Sequence, residues 1–200
     1  MVNKKTLIVV LVEPSGPINI GSVARLCKNF SVHELRLVSP KCDYLNQEAK
    51  RMAVRGVNIL KKAIVYEDLN SALSDCSRII ATCGRTEHGD IPLNSNKDVL
   101  CWALKSKREE TIALVFGRED RGLSNEELLK ANKVISLNTS ENYPSLNLSH
   151  AVAIVLHQFN QFNEISLLKT NNKISYPANL TKLAGLLIIL LAFNELISLN

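Results

Sequence analysis

Short apolar segments alternate with helix-forming segments along most of this chain, and this order constrains its fold more than any other feature. The clearest strand signals are Thr6–Val12, Glu34–Val38 and Thr111–Phe116. Helical spacing over 20–30 follows the first of them, with Asn19 as the expected N-cap. Strands that alternate with helices predict an α/β fold in which helices cover a mainly parallel sheet.

The same signals predict the rest of the chain. Apolar residues recur at helical spacing after residue 147, at Leu148, Ala151, Val152, Val155, Phe159 and Phe162. Further strands are expected over 63–66, 78–82 and 134–137, and further helices over 47–60, 68–75, 98–106 and 125–131. We expect one catalytic domain over 1–165, a polar linker over 166–179 and a terminal apolar helix within 180–200.

Composition favours a folded protein with an anionic partner. Apolar residues make up 46% of the 200 residues, which is enough for a full core, and the formal net charge is +5. Basic residues cluster at Lys50, Arg51, Arg55, Lys61 and Lys62, and again at Lys105, Lys107 and Arg108. Each cluster fits either a solvated helix face or a nucleic-acid contact, and the sequence leaves both interpretations open.

Cysteine and histidine usage predicts neither disulfides nor a metal site. The five cysteines are odd in number and show no C-x-x-C spacing, so we expect reduced thiols in a cytoplasmic protein. No third ligand accompanies His150 and His157, which lie seven residues apart. No targeting segment is visible, and the run Leu183–Phe193 is about half the length of a membrane-spanning helix.

Three polar motifs each follow a predicted strand. They are Asn19–Arg25 (NIGSVAR), Phe116–Gly122 (FGREDRG) and Tyr143–His150 (YPSLNLSH). Ligands bind at the carboxyl ends of strands in α/β sheets, so we expect the three loops to converge on one site. The chain lacks the dinucleotide, P-loop and nucleophile-elbow motifs, which leaves those cofactor and hydrolase classes without support.

The three motifs, in this order and spacing, resemble those of the SPOUT-class RNA 2′-O-ribose methyltransferases. The similarity covers about residues 6–162 and is greatest to the TrmJ group, which methylates the ribose of nucleotide 32 in the tRNA anticodon loop. The resemblance implies a deep C-terminal trefoil knot, bound S-adenosylmethionine, an RNA substrate and a homodimer with each site near the subunit interface. It implies neither a metal nor a membrane.

The resemblance also assigns roles to individual residues. The positions that match its catalytic set are Arg25, Asn19, Glu119, Ser145 and Asn147. The positions that match its cofactor-binding set are Thr82, Cys83, Gly84, Phe116, Gly117, Leu137, Pro144, Ser145, Leu146 and Leu148. The expected RNA-binding residues are Arg25, Arg85 and Arg118.

Arg25 is expected to hold the adjacent phosphate and stabilise the developing alkoxide, because a guanidinium is a good hydrogen-bond donor to anions and a poor general base. A salt bridge with Glu119 is the structural alternative. Glu87 stands where relatives often carry a second arginine, so part of the RNA contact is expected to differ. Two other functions stay open: an rRNA 2′-O-methyltransferase, and a non-catalytic RNA-binding knot protein.

Overall fold

The computed structural model describes residues 6–84, 89–105, 110–137, 139–140, 142–143 and 145–171, with side chains to residue 164. The chain divides into two compact units, Met1–Asn163 and Glu164–Asn200. The described part of the second unit is the end of one helix. The catalytic site predicted from the sequence falls within the first unit.

Seven strands and seven α-helices form the described part of the chain. The strands are β1 Thr6–Val12, β2 Glu34–Val38, β3 Ile64–Tyr66, β4 Arg78–Thr82, β5 Leu93–Asn94, β6 Thr111–Phe116 and β7 Lys133–Ile135. The helices are α1 Pro17–Asn29, α2 Gln47–Ala53, α3 Val57–Lys61, α4 Leu69–Leu73, α5 Asn96–Leu104, α6 Asn125–Leu128 and α7 Leu148–Asn171, with a 3₁₀ turn at Val54–Gly56 between α2 and α3.

The strands form one sheet in the order β3-β2-β1-β6-β4-β7-β5, and all neighbouring pairs are parallel. This confirms the predicted α/β class. Leu11 of β1 lies opposite Phe116 of β6, and Thr82 of β4 lies opposite Ile135 of β7. The carboxyl ends of β1, β6, β4 and β7 therefore lie side by side at one edge.

Both faces of the sheet are buried. Alternate β1 residues Leu7, Val9 and Leu11 belong to one apolar core, which includes residues of α1, α2, α5 and α7. Their neighbours Ile8 and Val10 belong to a second core with residues of α4 and α6. A strand covered on both faces is apolar along its whole length, which explains the unbroken run in β1.

The helices α1 and α2 lie in backbone contact. A Cβ added to Gly21 would lie 2.2 Å from the carbonyl oxygen of Ala49, and one added to Gly56 would lie 2.6 Å from the carbonyl oxygen of Ala24. Both distances are too short for any side chain, so glycine permits this approach. The contact fixes the 3₁₀ turn beside the middle of α1.

Some predicted boundaries are wrong. Helix α1 begins at Pro17 with Gly16 as its N-cap, so Asn19 lies in the first turn and is not the cap. Proline at the first helical position has its φ angle preset and no N–H to satisfy, which moves the start earlier than the apolar pattern suggests. The two-residue strand β5 was not predicted, and α7 continues to Asn171, into the predicted linker.

None of the five cysteines, all of which lie in the described residues, forms a disulfide bond. Within the described residues, none of the helices has the length and apolar character needed to cross a bilayer. The predicted terminal helix over 180–200 lies outside the described residues.

Candidate functional site

The site lies where the loops after β1, β6 and β7 meet. Because the strands are parallel, these loops leave the same edge of the sheet. Hydrogen bonds join the three loops directly through Glu119, Asn19 and Asn147. The three sequence motifs therefore converge as predicted.

Glu119, in the loop after β6, binds the start of α1. Its Oε2 accepts hydrogen bonds from the Ser15 backbone N–H at 3.1 Å and the Ser15 hydroxyl at 3.1 Å. Its Oε1 accepts from the Gly16 N–H at 3.0 Å and from Asn19 Nδ2 at 3.1 Å. The carboxylate thus acts at the N-terminus of α1, where a helix favours negative charge.

These contacts determine the charge of Glu119. Burial raises its pKa, but the hydrogen bonds from the Asn19 side chain and the Ser15 and Gly16 amides outweigh burial and hold the pKa below its ordinary value. Glu119 is therefore ionised at neutral pH. Because its oxygens are occupied, Glu119 positions the loop before α1. Because its pKa is lowered, it is a poor proton acceptor.

Asn19 and Asn147 extend the network to the third motif. Asn147 Nδ2 donates to Asn19 Oδ1 at 3.0 Å. Asn147 Oδ1 accepts from the Ser149 N–H at 2.9 Å and from the Ser149 hydroxyl at 2.8 Å, at the start of α7. Asn19 therefore lies between an anionic acceptor and an amide donor, which fixes the orientation of its own amide group.

A cavity of about 220 Å³ opens beside this network. It is lined by Thr82, Cys83, Gly84, Phe116, Gly117, Leu137, Ser145, Leu146 and Leu148, together with Arg118 to Gly122 and Ala151. The structure thus brings together nine of the ten residues that the resemblance assigns to the cofactor. The tenth, Pro144, lies outside the described residues.

The glycines of this cavity leave room for a ligand at the backbone. A Cβ at Gly84 or Gly122 would meet no protein atom within 4 Å, and Gly122 has a φ of +67° that side chains rarely adopt. Gly117 serves packing, because a Cβ there would lie 2.2 Å from the carbonyl carbon of Gly122. Exposed backbone and apolar side chains suit a neutral aromatic ring such as adenine.

A second, more open cavity adjoins the first. It is lined by Asn19, Glu119, Thr139, Ser140, Tyr143, Ser145, Leu146, Asn147 and His150. Glu119, Ser145 and Leu146 line both cavities. Tyr143, which lines this cavity, is 78% exposed, so its aromatic face is available to a ligand.

Arg118, predicted to bind RNA, directs its guanidinium to two carboxylates. Its Nε lies 2.6 Å from Glu13 Oε2, and its Nη1 and Nη2 lie 2.9 and 3.0 Å from the two oxygens of Glu127. The Glu127 hydrogen bonds, foremost, and those to Glu13 raise the arginine pKa. With 14% of its side chain exposed, Arg118 holds the cavity loop to its neighbours, which favours a structural role.

Arg25 is exposed on α1. Within the described residues it forms no ion pair with Glu119, whose oxygens are filled by Ser15, Gly16 and Asn19. Arg25 lies six positions after Asn19, which places it about 9 Å further along the helix. The predicted RNA-binding residue Arg85 lies outside the described residues.

Several site residues were not predicted. Ser15 and Gly16 bind Glu119 through their backbone N–H groups, which residue identity does not reveal, and Ser15 also donates from its hydroxyl. Asp120, Arg121 and Ala151 lie within or directly after the motifs, so proximity in sequence was the available signal. No group of three or more metal-ligating side chains lies together in the described parts of the chain.

Known proteins are similar to this chain in sequence and in fold. Residues 6–157 match the model of the SpoU rRNA Methylase family. The chain is 40% identical over 170 residues to tRNA (cytidine-2′-O-)-methyltransferase TrmJ of Methanocaldococcus jannaschii, covering 80% of this chain and 72% of the relative. It is 36% identical over 156 residues to the TrmJ protein of Sulfolobus acidocaldarius, covering 76% of this chain and 64% of that relative.

A solved structure agrees with these relatives. The structure of a probable methylase family protein from Haemophilus influenzae Rd KW20 superposes with a TM-score of 0.75 at 34% identity. It covers 86% of this chain and 71% of the other. The matched region includes all three motifs at the sheet edge, and the chain belongs to the SpoU methylase family.

Proposed function

We propose that this chain is an S-adenosylmethionine-dependent methyltransferase that methylates a ribose 2′-hydroxyl in tRNA. The observation that carries the proposal is the junction of the three motifs. Glu119, Asn19 and Asn147 are hydrogen-bonded to one another beside a cavity lined by the nine described cofactor-matching residues. A non-catalytic RNA-binding protein has no need of this arrangement.

The residues of the cavity suit the cofactor. S-adenosylmethionine supplies an electrophilic methyl group on a sulfonium when it is bound. The backbone at Gly84 and Gly122 admits a close ligand, and Leu137, Leu146 and Leu148 supply apolar contact. Five cysteines without a disulfide fit an enzyme of the reducing cytoplasm.

The second cavity suits the target nucleoside. It shares Glu119, Ser145 and Leu146 with the cofactor cavity, so a ligand in one adjoins a ligand in the other. The exposed ring of Tyr143 offers a surface on which an unstacked base can stack. The guanidinium of Arg25 would stabilise the negative charge that develops on the ribose 2′-oxygen. As that oxygen bonds to the methyl carbon, the carbon–sulfur bond would break, S-adenosylhomocysteine would leave and the hydroxyl proton would pass to solvent.

The names of the relatives support tRNA as the substrate and cytidine as the nucleoside. With the resemblance to the TrmJ group, they favour nucleotide 32 of the anticodon loop. We also propose a homodimer, as the resemblance implies. The C-terminal trefoil knot stays a prediction.

The test is methyl transfer in vitro. The chain, labelled S-adenosylmethionine and an unmodified tRNA transcript should yield a methylated ribose at one nucleotide, found by its resistance to alkaline hydrolysis. A transcript with a 2′-deoxy sugar at that nucleotide is the matched control and should receive no labelled methyl group. Methyl transfer to ribosomal RNA but not to tRNA would show that the substrate is ribosomal RNA. Binding of the cofactor without methyl transfer to any RNA would contradict the proposal that the chain is an enzyme.

A further inference from the structure

Two stretches account for the excess of basic over acidic residues in this chain. Residues 14–33 and 49–66 contain seven lysines and arginines and no aspartate or glutamate. These seven charges exceed the formal excess of +5 for the whole chain, so the remaining residues carry a slight excess of negative charge.

The fold places the two stretches side by side. One contains α1, and the other contains the end of α2, the 3₁₀ turn and α3. A Cβ added to Gly56 would lie 2.8 Å from the Cα of Arg25, so the turn touches α1 at that residue. Because Arg55 directly precedes Gly56, its backbone lies near that of Arg25, although thirty positions separate the two residues in sequence.

Most of these cations are available to a partner. The exposed residues, which together we name the basic face, are Arg25, Lys28, Arg51, Arg55, Lys61 and Lys62. None of them forms a side-chain hydrogen bond or ion pair within the described residues. Arg36, Arg78 and Arg118 are instead held by carboxylates of this chain. The charges of the basic face are therefore available to bind an anionic partner.

Helix α1 connects the basic face to the candidate site. Its N-terminus is held by Glu119, and Asn19 in its first turn lines the second cavity. Arg25 lies about 9 Å further along the same helix. A polyanion that lies on the basic face and passes Arg25 thus reaches the cavity proposed for the nucleoside.

We propose that the basic face binds the phosphate backbone of the RNA beside the target nucleotide, with Arg55 and Arg25 as neighbouring phosphate ligands. This inference rests on the proposed function and adds a binding surface and a residue, Arg55, to it. Arginine suits the role because its planar guanidinium binds phosphate through two parallel hydrogen bonds. Gly56 is essential to the arrangement, since it lets Arg55 approach Arg25.

The test compares Arg55→Gln with Lys97→Gln, which removes an exposed cation from α5, outside the basic face. Affinity for an unmodified tRNA transcript is measured over a range of salt concentrations. Each phosphate contact with single-stranded nucleic acid contributes about 0.7 to the slope of log K against log salt. Arg55→Gln should reduce the slope by about 0.7 and weaken binding about fivefold at 0.1 M salt. Lys97→Gln should change neither.

The remaining outcomes are also decisive. Equal salt slopes for wild type, Arg55→Gln and Lys97→Gln would overturn the inference, even if methyl transfer to tRNA occurs. A salt slope that falls equally in both variants would indicate that the whole protein surface attracts RNA electrostatically. It would likewise contradict the proposal that the basic face is the binding surface. Binding of the wild type, but not Arg55→Gln, to phosphatidylserine vesicles with unchanged RNA binding would assign the face to membranes. Cofactor affinity should not change in either variant, which separates this test from the proposed function.

Discussion

At the scale of single residues, Glu119 shows how a carboxylate organises a site without reacting. Both its oxygens are occupied by donors from the segment Ser15 to Asn19, so it determines where α1 begins and how the Asn19 amide points. Sequence motifs give the carboxylate but not these partners. Its role is therefore to position other groups.

Glu119→Gln should lower both stability and the rate of methyl transfer. The new amide would present an NH₂ group to two of the four donors, and losing hydrogen bonds to a charged acceptor costs about 1.5–3 kcal/mol. Urea unfolding at neutral pH measures the stability change. The neighbouring exposed Asp120→Asn is the matched control and should unfold like wild type. Full activity in Glu119→Gln would show that the orientation of Asn19 does not matter.

Arg25→Ala should slow methyl transfer by about a hundredfold or more, the effect of losing one stabilising group for a developing oxyanion. Cofactor affinity should be unchanged, because Arg25 does not line the cofactor cavity. Single-turnover kinetics and calorimetry measure the two quantities separately. Arg25→Lys keeps the charge without the planar guanidinium and should recover part of the rate. A wild-type rate in Arg25→Ala would leave it without a catalytic role.

At the scale of elements, the close contact between α1 and α2 requires that Gly21 has no side chain beyond hydrogen. Gly21→Ala would place a methyl group 2.2 Å from the Ala49 carbonyl oxygen, and the helices would have to separate. We expect a loss of about 1–3 kcal/mol from overpacking, more than the gain of about 1 kcal/mol from helix propensity. Thermal unfolding should show it, with Ser22→Ala on the same helix nearly neutral. A more stable Gly21→Ala would mean that the helices move apart at little cost.

A second pair of elements, β2 and α4, is joined through the buried Arg36. Its Nη1 and Nη2 lie 2.6 and 2.8 Å from the two oxygens of Asp75, just after α4, and Nη1 also lies 2.6 Å from the carbonyl oxygen of Ala72. The Arg36 hydrogen bonds lower the pKa of Asp75 to about 2. The carboxylate is therefore charged at all but strongly acidic pH.

The lowered pKa of Asp75 predicts a specific pH dependence. Its ordinary value is 3.8, so its stabilising effect is complete above about pH 4 and is lost as the pH falls towards 2. Asp75→Asn should cost about 1 kcal/mol at neutral pH, a modest figure because 59% of the side chain is exposed. Urea unfolding should show that the free energy of unfolding of Asp75→Asn differs from that of wild type by a constant amount down to about pH 4. Below that pH the difference should shrink. Asp90→Asn, also exposed, should show none; a difference independent of pH would contradict the prediction.

Periodicity predicted most elements but not the contacts between them. Runs such as Thr6–Val12 and Thr111–Phe116 match their strands because burial on both faces demands apolar residues. The N-cap of α1 was misplaced, because Glu119, a hundred positions away from Asn19, supplies the acceptor that a capping side chain would have supplied. The cofactor-matching residues were identified by family resemblance and not by physical pattern. The position of Arg55 beside Arg25 depends on packing, which one sequence does not show.

At the scale of the whole molecule, the main prediction is assembly. The resemblance implies a homodimer, and the apolar run Leu183–Phe193, outside the described residues, requires a surface to cover it. Light scattering on the full chain should give twice the mass of one chain. A form ending at Asn172 tests the tail: reduced dimerisation would assign it to the interface, and an unchanged dimer would make it dispensable. A monomeric, fully active protein would refute the dimer.

The segregation of charge between the basic face and the rest of the chain also has a kinetic consequence. The seven cations of the two adjoining stretches produce a local positive field at the basic face, which the net charge of +5 alone does not convey. This field attracts a polyanion towards the basic face as the two molecules approach. Because α1 leads from that face to Asn19, early collisions already bring the nucleic acid to the entrance of the second cavity. Lowering the salt concentration should therefore raise the association rate constant for tRNA far more than it lowers the dissociation rate constant.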